Sequence, residues 1–193
     1  MTGKRLRIGF AVTGSFCTHR NALEVLRTLA EDETRELVPI LSEHAGSWDT
    51  RFGRAAELRE ELTRICGREP VDTVAEAERL GPADPLDALL ICPCTGNTLA
   101  KLAHGITDTT AVMAAKAHLR ADRPLLIALA SNDAMSANLG NIGTLLNRKN
   151  VYFVPMRQDD PEKKPHSLVA DFGKTEEALA LALNGKQLRP LFL

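Results

Sequence analysis

The sequence lacks an excess of charge of either sign: 24 Lys and Arg face 25 Asp and Glu, for a net charge of -1. No basic surplus is available to drive nucleic-acid or membrane binding, and partners of those kinds are not expected. Long apolar runs are also missing. The positively charged stretch 1–7 leads into a short apolar segment that ends at Thr13-Gly14-Ser15, so neither a signal peptide nor a membrane span is expected, and the chain should stay in the cytoplasm. Aromatic residues make up only 4% of the chain, against 44% hydrophobic residues overall, an ordinary soluble composition. Cysteines are few, and Cys17, Cys66, Cys92 and Cys94 do not form the regular framework of a disulfide-stapled domain. Cys92-Pro93-Cys94 has no second Cys or His pair at ligand spacing, so no metal is expected. Neither GxGxxG nor GxxxxGK[ST] is present, which counts against nicotinamide dinucleotide or nucleoside triphosphate binding by this chain. None of the five histidines lies in a nucleophile or ligand motif. Catalytic residues are therefore not assigned.

What is present is an alternation of strands and helices. Leu6 to Val12 reads as a strand and Thr18 to Glu31 as a helix, with Leu23, Leu26, Leu29 and Ala30 at helical spacing. Glu36 to Leu41 reads as a second strand, and Arg54 to Cys66 as a helix stopped at Gly67. A short strand at Val71 to Val74 and a turn-rich segment at 81–85 are expected next. Ala88 to Cys92 and Leu125 to Ala130 are continuously apolar, as strands covered on both faces should be. Asn97 to His104, Thr109 to Ala121 and Asn138 to Lys149 fit helices, Val151 to Pro155 a strand, and Lys174 to Leu183 a closing helix. With 193 residues, this predicts one α/β domain: a doubly wound parallel sheet in three α/β/α layers. Ligands of such sheets bind at the carboxyl ends of the strands, near the point where strand order reverses.

Three of those ends carry small polar residues. Thr13-Gly14-Ser15 follows the first strand and precedes a helix, where backbone amides and the helix dipole favour an anion such as phosphate. Gly14 could equally serve a turn, and Ser15 or Thr18 a helix cap. Thr95-Gly96-Asn97-Thr98 repeats the arrangement, again with capping as the alternative, and Ser131-Asn132-Asp133 ends a third strand. Three similar strand ends point to one shared pocket. After the second strand come Ser42 and a loop, 48–53, in which Trp48 and Arg51 either close over a ligand or remain at the surface. The long polar segment 159–167 reads foremost as a solvated connection.

The Thr-Gly-Ser start, Ser42, and Pro93-Cys94-Thr95-Gly96-Asn97-Thr98 with the following Leu99 to Asp108 resemble the FMN-binding flavoprotein family that includes phosphopantothenoylcysteine decarboxylase. Within it, 48–53, Met113 to Ala117, 158–161 and 163–171 resemble the B subunits of dipicolinate synthase, a similarity running from Ile8 to Leu193. The resemblance implies a flavodoxin-like fold. It also implies FMN, its phosphate near Thr13, Gly14, Ser15 and Ser42, with Thr95, Gly96, Asn97 and Thr98 along the ribityl or ring side and Ser131 and Asn132 completing the cleft. Where decarboxylase relatives have Pro-Ala-Met-Asn, this sequence reads Ser-Asn-Asp-Ala-Met-Ser at 131–136, and their histidine before the fourth strand has no counterpart between His44 and His104. Decarboxylation of a cysteine is accordingly the weaker alternative.

The reaction implied is oxidation of a dihydro- or hydroxytetrahydrodipicolinate to dipicolinate during endospore formation, in the mother cell. It calls for a dipicolinate synthase A subunit that brings NADP or NAD. Arg51, Lys116, Lys163 and Lys164 are candidates to meet the substrate's two carboxylates. A homo-oligomer, trimer or multiple of trimers, is implied too, as is the alternative of a non-catalytic partner subunit with a vestigial flavin pocket.

Overall fold

A computed structural model describes residues 5–193. Four long parallel strands form the centre: β1 (Leu6–Val12), β2 (Arg35–Leu41), β3 (Ala88–Cys94) and β4 (Leu125–Ser131), in the order β2-β1-β3-β4. Every residue of β3 is buried, which explains why its sequence is apolar without alternation. The far edge of β4 is shared. Its first half pairs in parallel with β5 (Val151–Phe153), Leu125 opposite Val151 and Ile127 opposite Phe153. Its second half pairs antiparallel with β7 (Leu168–Ala170), which in turn pairs with β6 (Met156–Arg157).

Helices α1 (His19–Ala30), α3 (Ala55–Cys66) and α8 (Thr175–Leu183) cover one face through Ala22, Leu26, Leu29, Leu62 and Leu179. The other face packs against α4 (Val74–Glu78), α5 (Gly96–His104), α6 (Thr110–Leu119) and α7 (Leu139–Leu146), through Leu99, Ala111, Ala115, Ile142 and Leu145. This is the three-layer flavodoxin-like arrangement expected. In α1 the buried positions 22, 25, 26 and 29 recur at three- and four-residue spacing, so burial of one apolar stripe accounts for that helix. α3 stops at Gly67, whose φ of 67° is left-handed.

Some expectations need correction. Val71 makes a single parallel bridge to Ile40, and no strand runs from Val71 to Val74. Val74 instead opens α4, because the Thr73 hydroxyl accepts the Glu76 N–H and caps a helix there. The strand expected over 151–155 ends at Phe153, and the chain then enters the β6–β7 hairpin, an antiparallel addition to the parallel sheet. A short helix not foreseen, α2 (Glu43–Ser47), follows β2. Among the described residues no helix is long and apolar enough to cross a membrane.

Candidate functional site

Strand order reverses between β1 and β3, and the polar loops after these strands meet there. Thr13, 1% exposed, locks them together. Its hydroxyl donates to Pro93 O at 2.7 Å and accepts the Thr95 N–H at 3.1 Å. The Thr13 carbonyl accepts Ser15 N–H at 2.9 Å and lies 2.8 Å from His19 Nε2, so the turn is held from both sides. Burial holds the His19 pKa below its ordinary value despite that contact, which leaves a neutral ring with Nε2 as donor. Thr13 is thus a strut, and its hydroxyl is already spent.

The loop after β3 is also turned inward. Thr95 Oγ1 accepts the Thr98 N–H at 3.1 Å and donates to Thr98 Oγ1 at 2.9 Å, capping α5. Gly96 is packed so closely that a Cβ there would stand 2.4 Å from Ser131 Oγ and 2.7 Å from both Asp133 Oδ1 and Asn138 Nδ2. Those three side chains form their own cluster: Asp133 accepts from Ser131 Oγ at 2.5 Å and from Asn138 Nδ2 at 2.9 Å. These bonds, Ser131's first, hold the Asp133 carboxyl below its ordinary pKa. Asn97 remains exposed.

The loop after β1 has room beside it. A Cβ at Gly14 would meet nothing nearer than Phe16 at 3.6 Å and His44 at 3.8 Å. Beyond Ser15, one turn of 3-10 helix (Phe16–Thr18) leads into α1, and the leading amides of such a turn have no partners within the helix. A cleft of about 290 Å³ opens there, lined by Ser15, Cys17, Thr18 and Asn21 from this side, Ala130, Ser131 and Asn132 from the end of β4, and Asp159, Lys164, Ser167 and Val169 from the hairpin. Ser15, Ser131, Asn132 and Lys164 are therefore brought together as predicted site residues.

Others lie elsewhere. Ser42, buried, precedes α2 and its N–H donates to Val12 O at 3.0 Å, outside the lining of the cleft. Arg51 is exposed, its guanidinium 4.8 Å from the Phe52 ring centroid, and Lys116 is exposed on α6. Lys163 lies outside the lining, although its N–H donates to Asp160 Oδ1 at 3.0 Å. Trp48 and Phe52 stand more than half exposed, the Trp48 ring stacked with Phe16 at 6.5 Å and tilted against His44 at 4.3 Å between ring centroids. They border a separate groove of about 280 Å³ between α1 and α3.

The segment 159–167, read from sequence foremost as a solvated connection, forms one wall of the cleft. Gln158 Nε2 donates to Pro165 O at 3.1 Å, the Lys164 N–H to Asp160 O at 2.7 Å, and Met135 N–H to His166 O at 2.9 Å, which ties the hairpin to the loop after β4. Cys17, Thr18 and Asn21 are lining residues that the sequence did not mark as site candidates. Burial pushes the Cys92 and Cys94 thiols well above the usual range and Cys66 up to about 12, so these three are inert as nucleophiles. No group of three His, Cys, Asp or Glu side chains is placed to hold a metal among the described residues.

A doubly wound sheet with a polar cleft at the carboxyl ends of its strands is the architecture of an open α/β ligand-binding domain. The chain belongs to the Flavoprotein family, whose model matches residues 2–178. It is a homologue of the B subunit of dipicolinate synthase: it is 40% identical to that protein from Bacillus subtilis (strain 168) over 190 residues, covering 98% of this chain and 94% of the relative. The crystal structure of the dipicolinate synthase B subunit from Bacillus halodurans C superposes with a TM-score of 0.88 at 37% identity, covering 99% of this chain and 96% of the other. An FMN-dependent cysteine decarboxylase, SpaF, shares the fold at a TM-score of 0.68 and 24% identity, over 94% of this chain and 97% of its own.

Proposed function

We propose that this chain is the B subunit of a dipicolinate synthase, binding FMN in the cleft at the ends of β1 and β4 and acting with an A subunit to oxidise a dihydro- or hydroxytetrahydrodipicolinate. The observation that carries this is the convergence of Ser15, Ser131, Asn132 and Lys164 on one cleft, in a chain similar to the dipicolinate synthase B subunit from end to end. The cleft suits a phosphorylated ligand: hydroxyls and an amide line it, the first turn before α1 offers amides, and Gly14 leaves space against the backbone. Its 290 Å³ falls just below the roughly 300–1,000 Å³ common for small-molecule sites, which fits a site completed in part by a neighbouring copy of the chain. Relatives of this fold include a dodecameric decarboxylase and a cubic cage, and a homo-oligomer, trimeric or a multiple of it, is proposed here too.

Bound flavin would supply a two-electron acceptor, as would NADP or NAD carried by the A subunit. Formation of the aromatic pyridine ring favours loss of a hydride and a proton from the dihydro substrate. The chain's own residues would hold and orient: Ser15 and the adjacent amides the phosphate, Asn97, Ser131 and Asn132 the remainder. The cytoplasm of a sporulating mother cell is the corresponding location.

The test is to purify the chain with and without its A subunit and to follow dipicolinate formation together with flavin absorbance after addition of FMN. Flavin uptake and synthesis dependent on both chains are expected. Dipicolinate formation by the A subunit alone, at the rate of the mixture, would sink the assignment. The inward commitment of Thr95 and Thr98 favours a second reading, a non-catalytic partner subunit with a vestigial pocket. It predicts that the chain is needed but takes up no flavin.

A further inference from the structure

The lining of the cleft contains two charged side chains, Lys164 and Asp159, and they are bonded to each other, ammonium to carboxylate. We propose that this pair is a carboxylate site occupied by the protein's own anion. Lys164 takes one carboxylate of a small dicarboxylic acid, and Asp159 is the stand-in that the ligand displaces. The proposal rests on the reading that this chain handles a dicarboxylate, and it names the residues that would select one.

Three observations carry it. First, the pair is built into a braced frame: the Lys164 N–H is held by Asp160 O at 2.7 Å, Ser167 N–H and Oγ both donate to Lys164 O at 3.0 Å, and the hairpin is tied to the loop after β4 through Met135. The Lys164 backbone is therefore fixed at the cleft wall. Second, the Asp159 carboxylate has no role in that bracing. Its bond goes to Lys164 Nζ, whereas the neighbouring Asp160 holds the turn. Third, the two side chains are 48% and 40% exposed, so neither is locked away and exchange of one carboxylate for another is a small free-energy change. A lysine ammonium is a compact point charge, and it can accept a new anion without the matched planar geometry an arginine would impose. Asn21, which lines the same cleft from α1, is a neutral polar partner for a second carboxylate.

The same chemistry would suit a flavin phosphate, so the experiment must separate the two sources. The probe is pyridine-2,6-dicarboxylate, titrated calorimetrically into the whole chain with and without FMN. FMN binding is followed separately by quenching of flavin fluorescence. Lys164→Gln is expected to weaken dicarboxylate binding about tenfold, the scale of one charge-assisted hydrogen bond, and Lys164→Arg to restore most of it. Asp159→Asn is expected to tighten binding about threefold, by removing the competing anion. Opposite signs at two bonded residues are not what a merely structural ion pair produces. Equal weakening by both variants, no change in either, or no dicarboxylate binding by the parent chain would overturn the proposal. So would a loss that falls on FMN while dicarboxylate binding is spared, which would assign Lys164 to a phosphate. Failure of FMN to bind, with the opposite signs intact, would instead overturn only the flavin part of the function proposed above.

Discussion

The loops after β1 and β3 look alike in sequence, each a glycine among hydroxyl residues at the end of a buried strand, yet they are furnished in opposite directions. After β3, the polar groups are spent on the protein itself: Thr95 and Thr98 cap α5, and Gly96 makes room for Ser131, Asp133 and Asn138. After β1, Thr13 is spent on the strut to Pro93 and Thr95, but Gly14 has ordinary space around it and Ser15 lines the cleft. The difference teaches that a glycine at a strand end has two distinct causes. One is crowding inside the chain, and the other is room kept for something outside it. Substitutions can tell them apart.

The largest effect is expected at Gly96. Alanine there favours helix propensity by up to about 1 kcal/mol, but its Cβ would lie within 2.7 Å of three polar atoms of the Ser131–Asp133–Asn138 cluster. Relief requires moving those side chains, with an overpacking cost of roughly 1–3 kcal/mol and loss of a hydrogen bond to a charged group of similar size. The net expectation for Gly96→Ala is a loss of about 2–3 kcal/mol, read as a drop in Tm of roughly 5 °C or more. A neutral outcome in thermal unfolding would mean that the inward furnishing of this loop is not what demands the glycine.

The division between inward and outward polar groups extends to two histidines. His19 walls the loop after β1, whereas His118 is wholly buried in the layer formed by α6, its Nε2 2.9 Å from Pro124 O and its Nδ1 without a partner among the described residues. Burial pushes the His118 pKa down from 6.5 to about 4. Between those values the unfolded chain binds a proton that the folded chain does not, so stability is retained above pH 6.5 and falls as the pH drops toward 4. By pH 5 the contribution of this one ring is a loss of about 2 kcal/mol. Urea unfolding at pH 7 and pH 5 should show it, and His118→Gln should flatten the difference. An undiminished acid slope in the variant would remove His118 as its source.

Much of the fold was legible because it is local. The apolar runs of β3 and β4 and the spaced leucines of α1 state their own burial. What was not legible depends on partners far along the chain. Thr13 looks like a phosphate donor until Pro93 and Thr95, some eighty residues on, take up its hydroxyl. The two- and three-residue strands of the β6–β7 hairpin are too short to display alternation, so nothing local announced that the connection between them would double back over the cleft. Lys163 and Lys164 were equivalent as letters. The turn closed on Asp160 directs only the second into the cleft.

The smallest effect on stability, and the most telling on function, is expected at Gly14. Its φ is not left-handed, and an added Cβ would make only ordinary contacts, at 3.6 Å to Phe16 and 3.8 Å to His44. The folded chain therefore tolerates alanine, and the reduced freedom of the unfolded chain should leave Gly14→Ala as stable as the parent or up to about 1 kcal/mol more so. A ligand lying against the backbone at this turn would meet the new methyl group. FMN affinity is then expected to fall about tenfold, equivalent to about 1.4 kcal/mol, in a protein whose Tm has not dropped. Thermal unfolding and flavin fluorescence titration on the same preparation read both quantities. Unchanged FMN affinity with unchanged Tm would show that the space beside Gly14 is not where the flavin lies, and the two loops would then differ only in how tightly they are packed.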